Sequence, residues 1–145
     1  MRLPVRHTLG RLQGWTFVET LIVIGIILIL TSAVGFMAFK YIDSAKQATA
    51  KSQIETFALA LGAYYIDVKK YPDPQEGLNG LWTRPANADG WNGPYIAKPV
   101  PKDPWGREYV LKIPGPNGLP FEILSLGPSG EEGGAGQNAP ISSAN

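Results

Sequence analysis

At 145 residues the chain has room for one small domain. Its 13 Lys and Arg nearly balance 12 Asp and Glu, which leaves no basic footprint for nucleic acid, so no nucleic-acid partner is expected. Cysteine is absent and His7 is the single histidine, excluding a disulfide framework, a thiolate zinc site, a cysteine nucleophile and a multi-histidine metal site.

Residues 1–14 carry Arg2, Arg6 and Arg11 and no acid. From Thr20 to Phe39 run 20 residues without a charge, rich in Leu, Ile and Val. A helix needs about 20 apolar residues to cross a bilayer core. The preceding arginines orient such a span with its N-terminus in the cytoplasm and the rest of the chain outside it. A cleaved secretory signal has a shorter apolar region, and the small-residue cleavage motif Thr31-Ser32-Ala33 lies inside the run.

Glu19 stands at the head of this apolar block, after Trp15, Thr16, Phe17 and Val18. A carboxylate at the centre of a membrane span costs roughly 2.5–3.5 kcal/mol, and less near an end, so it calls for a partner. If the chain is cut after Gly14, it begins at Trp15 with a free amine, and Glu19 becomes its fifth residue. The ammonium of a neighbouring copy then neutralises the carboxylate in the apolar layer.

The helical pattern continues past the apolar block. Between Lys40 and Lys70 there is no Pro and a single Gly, Gly62. Ile54, Phe57, Ala58, Leu61, Tyr64, Tyr65 and Val68 form an amphipathic stripe. The expected core contacts are Ile54, Phe57, Leu61, Tyr65 and Val68. Lys70-Tyr71-Pro72 ends the helix, because a residue before Pro disfavours the helical region. The whole helix to about residue 70 would measure about 80 Å.

Gln75 to Trp82 reads as two turns of helix weakened by glycine, and 84–106 as mostly loop with a short edge element at Gly93-Pro94-Tyr95-Ile96. Arg107 to Ile113 and Phe121 to Leu126 alternate as strands around the turn signal Pro114-Gly115-Pro116-Asn117-Gly118, predicting a β-hairpin covered by the amphipathic half of the helix. From Gly127 onward the chain reads as loop and tail with little core potential. The fold class is α+β, a long N-terminal helix packed on a small antiparallel sheet. No acid–base spacing links Asp43, Asp67, Asp73, Asp89 and Asp103, and Glu131-Glu132 lies in a Gly-rich loop. No catalytic residue is assigned and an enzyme is not expected.

The segment Gly14-Trp15-Thr16-Phe17-Val18-Glu19 with its basic leader resembles the class III signal of type IV pilins and type II secretion pseudopilins, with Trp15 where Phe is usual. Three later segments resemble the major pseudopilins of type II secretion, the general secretory pathway protein G family. They are Tyr71-Pro72 followed by Gln75-Glu76-Gly77-Leu78, then Asp103-Pro104-Trp105-Gly106 after Gly93-Pro94-Tyr95-Ile96, and Ser125-Leu126-Gly127-Pro128.

The resemblance implies a pilin-like fold with a leader at 1–14, a transmembrane and assembly helix at 15–39, and a periplasmic domain at 40–145 with its sheet within 95–126. It implies cleavage between Gly14 and Trp15 by a prepilin peptidase, N-methylation at Trp15, and single-pass insertion in the inner membrane. It also implies a homo-oligomeric filament contacting membrane lipid, other pseudopilins and inner-membrane secretion components, which supports export of folded proteins across the outer membrane. Glu19 is the assembly residue. Family members bind Ca²⁺ in the loop after the last strand. The corresponding positions here are Leu126, through its backbone oxygen, Ser129, Gln137 and Asn138. The three side chains offer oxygen without charge, so weak or absent Ca²⁺ binding is expected, with loop order coming from Pro128 and packing of Leu126. Two alternatives remain, a type IV pilin subunit of a surface fibre and a membrane-anchored binding module that never polymerises. The lack of a C-terminal disulfide loop counts against the first, and Gly14 with Glu19 against the second.

Overall fold

A computed structural model describes residues 16–144, with the side chains of Ala33, Phe36, Met37 and Gln137 outside the description. The chain divides into two compact units, Met1–Lys40 and Tyr41–Asn145. One helix, α1 (Phe17–Val68, 52 residues), runs through the boundary.

In the first unit, Thr16 caps α1. Its Oγ1 accepts the Glu19 backbone N–H at 3.3 Å, satisfying one of the donors that every helix N-terminus leaves open. Two hydroxyls within the apolar run turn back onto the helix. Thr31 Oγ1 donates to the Ile27 carbonyl at 2.7 Å and Ser32 Oγ to the Ile29 carbonyl at 2.8 Å. Large apolar side chains are exposed along this unit, Leu28 at 65% and Ile29 at 70% among them. Taken over the described residues alone, no helix is long and apolar enough to cross a membrane. The uncharged run of the sequence includes the three side chains of α1 left out of that description.

In the second unit, α1 buries Ala50, Ile54, Phe57, Leu61, Tyr64 and Val68. Their alternating spacing of four and three keeps them on one face. Tyr65 does not belong to this face. It is 44% exposed and stacks on Tyr71 at 4.8 Å between ring centroids. Tyr64 takes the core position, at 1% exposure, with its ring edge-on to Tyr95 at 5.5 Å. One residue along a helix is a rotation of about 100°, enough to move a ring from core to rim.

The helix ends slightly before the expected point and by a different device. Lys69 adopts a left-handed φ of 62°, and its N–H bonds to the Tyr65 carbonyl at 2.9 Å, an αL cap without the usual glycine. Beyond it, Gly77–Leu81 forms a 3₁₀ turn that buries Leu78 and Leu81. This is tighter than the two α-helical turns anticipated. Gly93 to Ile96 forms no strand. Pro94 has no N–H to offer a ladder, and the segment is held instead by Tyr95, whose N–H bonds to the Leu81 carbonyl at 2.8 Å. Trp91 packs edge-on against Tyr95 at 5.8 Å. An added Cβ on Gly93 would lie 2.6 Å from the Trp91 ring.

The expected hairpin is present with shorter strands. β1 (Val110–Lys112) pairs antiparallel with β2 (Glu122–Ser125), placing Val110 opposite Leu124 and Lys112 opposite Glu122. The turn between them includes a 3₁₀ turn at Pro116–Gly118. The C-terminal segment, read as tail, contributes a third strand. β3 (Ile141–Ser142) pairs antiparallel with the other edge of β2, giving the order β1-β2-β3. Ile141 packs against the core, and the Ser142 hydroxyl donates to Glu122 at 2.6 Å.

Tyr109, just before β1, ties strand to helix. It is 7% exposed, meets Phe57 edge-on at 5.2 Å and donates its hydroxyl hydrogen to Gln53. Burial, with the negative charge of Asp103 adding to it, pushes its pKa from 10.0 up to about 12.

Two outcomes follow from this packing. Tyr64→Ala should lower unfolding stability by about 3–5 kcal/mol, and Tyr65→Ala by only about 1 kcal/mol. Chemical unfolding of the detergent-solubilised chain measures both, and equal losses would contradict the assignment of core and rim. The raised phenol pKa means the folded state holds the Tyr109 proton more tightly than the unfolded chain. This stabilising contribution is complete below the ordinary value of 10.0 and is lost as pH rises towards about 12. Tyr109→Phe should be less stable at neutral pH, through loss of the Gln53 hydrogen bond, yet show a shallower alkaline fall in unfolding midpoint.

Candidate functional site

Gly14 and Trp15, the expected processing positions, lie outside the described residues. Glu19 occupies the third helical position of α1, in its first turn, and is exposed. Thr16 and Glu19 have the Thr-x-x-Glu spacing of a capping box, and the Thr16 half of that box is formed. Local sequence therefore sets Glu19 on the helix independently of any role in assembly. Thr16, part of the signal-like segment, also has this capping spacing to Glu19 in the sequence.

At the other end of the chain, the Asp103-Pro104-Trp105-Gly106-Arg107 segment closes on itself. The Asp103 N–H bonds to the Arg107 carbonyl at 2.7 Å, and the Gly106 N–H to the Asp103 carbonyl at 2.8 Å. Asp103 is 4% exposed, and its carboxylate accepts three hydrogen bonds. Oδ1 takes the N–H groups of Trp105 and Arg107 at 3.1 and 2.8 Å. Oδ2 takes the Ser125 hydroxyl at 2.7 Å. Ser125 Oγ in turn accepts the Gly127 N–H at 3.3 Å. A buried carboxylate is tolerated when its lone pairs are filled in this way, and here the filling joins the turn to β2 and to the loop that follows.

Arg107 extends this link. Its Nη1 donates to the Gly127 carbonyl, and Nη2 donates to the Pro128 carbonyl at 3.4 Å. Gly130, at φ +76°, lies against the guanidinium, and a Cβ there would come within 2.7 Å of Nε. Nothing in the alternating pattern from Arg107 to Ile113 distinguishes this arginine from a strand residue facing solvent.

The loop brings three of the four suggested Ca²⁺ positions together. Ser129 Oγ donates to the Asn138 carbonyl at 3.0 Å, while the Leu126 carbonyl accepts the Gly130 N–H at 3.2 Å. Ca²⁺ takes about 6–8 oxygen ligands, and the number of charged ligands sets its affinity. Ser129 and Asn138 bring no charge. Glu132 is engaged with Lys112 at 2.6 Å, and the Gly127 and Pro128 carbonyls face a guanidinium. Among the described residues no three His, Cys, Asp or Glu side chains converge. This donor set does not fit a calcium ion. Loop order was expected from Pro128 and packing of Leu126, but Leu126 lies outside the core cluster, and the side-chain contacts that hold the loop come from Arg107 and Ser129.

Comparison with known proteins bears on the whole chain. The family model for type II secretion system protein G matches residues 37–144 and so starts beyond the Gly14–Glu19 segment. The type II secretion system core protein G of Pseudomonas aeruginosa is 37% identical over 132 residues, covering 89% of this chain and 92% of that protein. Core protein G of Vibrio cholerae is 37% identical over 131 residues, covering 88% of each. The crystal structure of the major pseudopilin from the type 2 secretion system of enterohaemorrhagic Escherichia coli superposes with a TM-score of 0.61 at 28% identity, covering 70% of this chain and 84% of that one. With a family match over most of its length and these relatives along nearly all of theirs, the chain belongs to the type II secretion system protein G family and is a structural pseudopilus subunit.

Proposed function

We propose that the chain is made as a precursor with a leader at 1–14, cut between Gly14 and Trp15 by a prepilin peptidase and methylated on the new Trp15 amine. The first half of α1 anchors it in the inner membrane, with the second unit in the periplasm. Copies then assemble with other pseudopilins into a periplasmic filament that supports export of folded proteins. The observation that carries this reading is Glu19, a carboxylate at the head of an uncharged apolar run and five residues beyond Gly14. A plain anchor gains nothing from that charge, whereas the amine of a neighbouring Trp15 satisfies it.

The first unit's surface is consistent with this role. Its exposed Leu and Ile side chains need lipid or another copy to cover them. Thr31 and Ser32 hydroxyls bonded to the helix's own carbonyls are satisfied without water, as a bilayer core requires.

Gly14→Leu should leave the leader attached, detected as the uncut mass of the membrane protein, and should stop assembly. Glu19→Ala should still insert and be cut at Trp15, but yield about tenfold fewer sedimentable filaments. A mature N-terminus other than Trp15 would overturn the processing step, and normal filament yield from Glu19→Ala would mean that the carboxylate is only solvated at the membrane surface.

A further inference from the structure

The loop after β2 raises a question that assembly does not answer: what holds residues 127–138 in place when the donor set does not fit a metal. We propose that the guanidinium of Arg107 is the resident cation of this loop, so that the loop folds without a divalent ion.

Four observations converge. The guanidinium fork reaches two successive backbone oxygens, those of Gly127 and Pro128. The positive charge assists both contacts, of which the one to Pro128 is the longer at 3.4 Å. The arginine backbone is held on both sides by Asp103, through the Asp103 N–H to Arg107 carbonyl bond and the Arg107 N–H to Oδ1 bond, so the fork is presented from a rigid base. The loop is shaped to receive it, because Gly130 has no side chain where a Cβ would strike Nε, Cζ and Nη2. The far side of the loop closes by neutral contacts, with Ser129 Oγ donating to Asn138 and the Gly130 N–H to Leu126. A positive charge aimed at the carbonyl oxygens does the electrostatic work of a bound cation, and repels a second one.

The consequence lies in the fold of the monomer and is separable from the assembly reading. Hydrogen exchange of the full chain in detergent micelles, read on peptides covering 127–140, tests it with chelator and with millimolar Ca²⁺. The wild-type loop should show the same protection in both. Arg107→Gln should speed exchange in these peptides about tenfold or more, with the middle of the second-unit part of α1 unchanged. Arg107→Lys, which keeps the charge and loses the fork, should fall between. If Ca²⁺ restores protection in Arg107→Gln while leaving the wild type unaffected, the result supports the proposal, because the loop then needs a cation that Arg107 ordinarily supplies. Protection of the wild-type loop that rises with Ca²⁺ would overturn it, an arm that needs no variant to fold. An unchanged loop in Arg107→Gln would overturn it equally. Either result would leave processing at Gly14 and assembly through Glu19 untouched.

Discussion

Strands of two to four residues cannot hold a sheet by themselves, since three or more strands need an apolar face packed on something. Here that cover is the buried stripe of α1. Ile54, Phe57, Leu61 and Tyr64 supply one wall of the core, and Leu111 and Ile123 from the sheet with Leu78 and Leu81 from the 3₁₀ turn supply much of the rest. The dependence is mutual. The stripe would be an unsatisfied apolar surface in water without the sheet, and the sheet would be too short to persist without the stripe. Tyr109 joins the two by both kinds of contact, packing its ring on Phe57 and bonding its hydroxyl to Gln53.

Polar closure at the edge of this core follows a different rule. Asp103 is buried yet fully used, and each of its hydrogen bonds goes to a separate part of the turn or to β2. Through Ser125 the same network reaches the Gly127 N–H, and through the Arg107 side chain it reaches the carbonyls of Gly127 and Pro128. The exit of the chain from β2 is therefore gripped by its amide and its carbonyls together. Loss of the carboxylate would leave several donors unfilled at once, which makes this network cooperative in a way that the exposed Lys112–Glu132 pair is not.

The parts of the fold that were legible in the sequence are those with a period. The helical stripe and the alternating segments on either side of Pro114–Gly118 each repeat often enough to state a face. The stripe also shows the limit of that reasoning. Tyr64 and Tyr65 both fit a broad apolar arc, and only the packing of Tyr95 and Tyr71 decides which ring is buried and which stacks on the rim. β3 has no period to read. Two residues in a Ser- and Ala-rich tail become a strand because β2 offers an open edge and Ile141 a place in the core. Asp103 falls in the stretch that reads as mostly loop, and its burial was not legible there, because that depends on Ser125 in a strand 22 positions away. Arg107 was hidden for the same reason. Its role belongs to carbonyls 20 and 21 positions along the chain.

The N-terminal carboxylate can be weighed by magnitudes. Glu19 sits in the first turn of α1, where the helix dipole and open amide groups favour a negative charge. That interaction contributes about 0.3–1 kcal/mol at an exposed site. Carrying a carboxylate into a membrane span costs roughly 2.5–3.5 kcal/mol at the centre and less towards the ends. The helix terminus thus offsets a minority of the central cost and a larger share near the interface, which favours placing the charge at the head of the run rather than within it. What the dipole leaves uncompensated has to come from a full positive charge or from water. An apolar layer built from neighbouring helices withdraws the water, so the demand for a cation rises as copies come together. In the proposed filament, a carboxylate tolerable in a lone subunit becomes costly in any packing that lacks an amine opposite it, and this difference selects one register of neighbouring helices over the others.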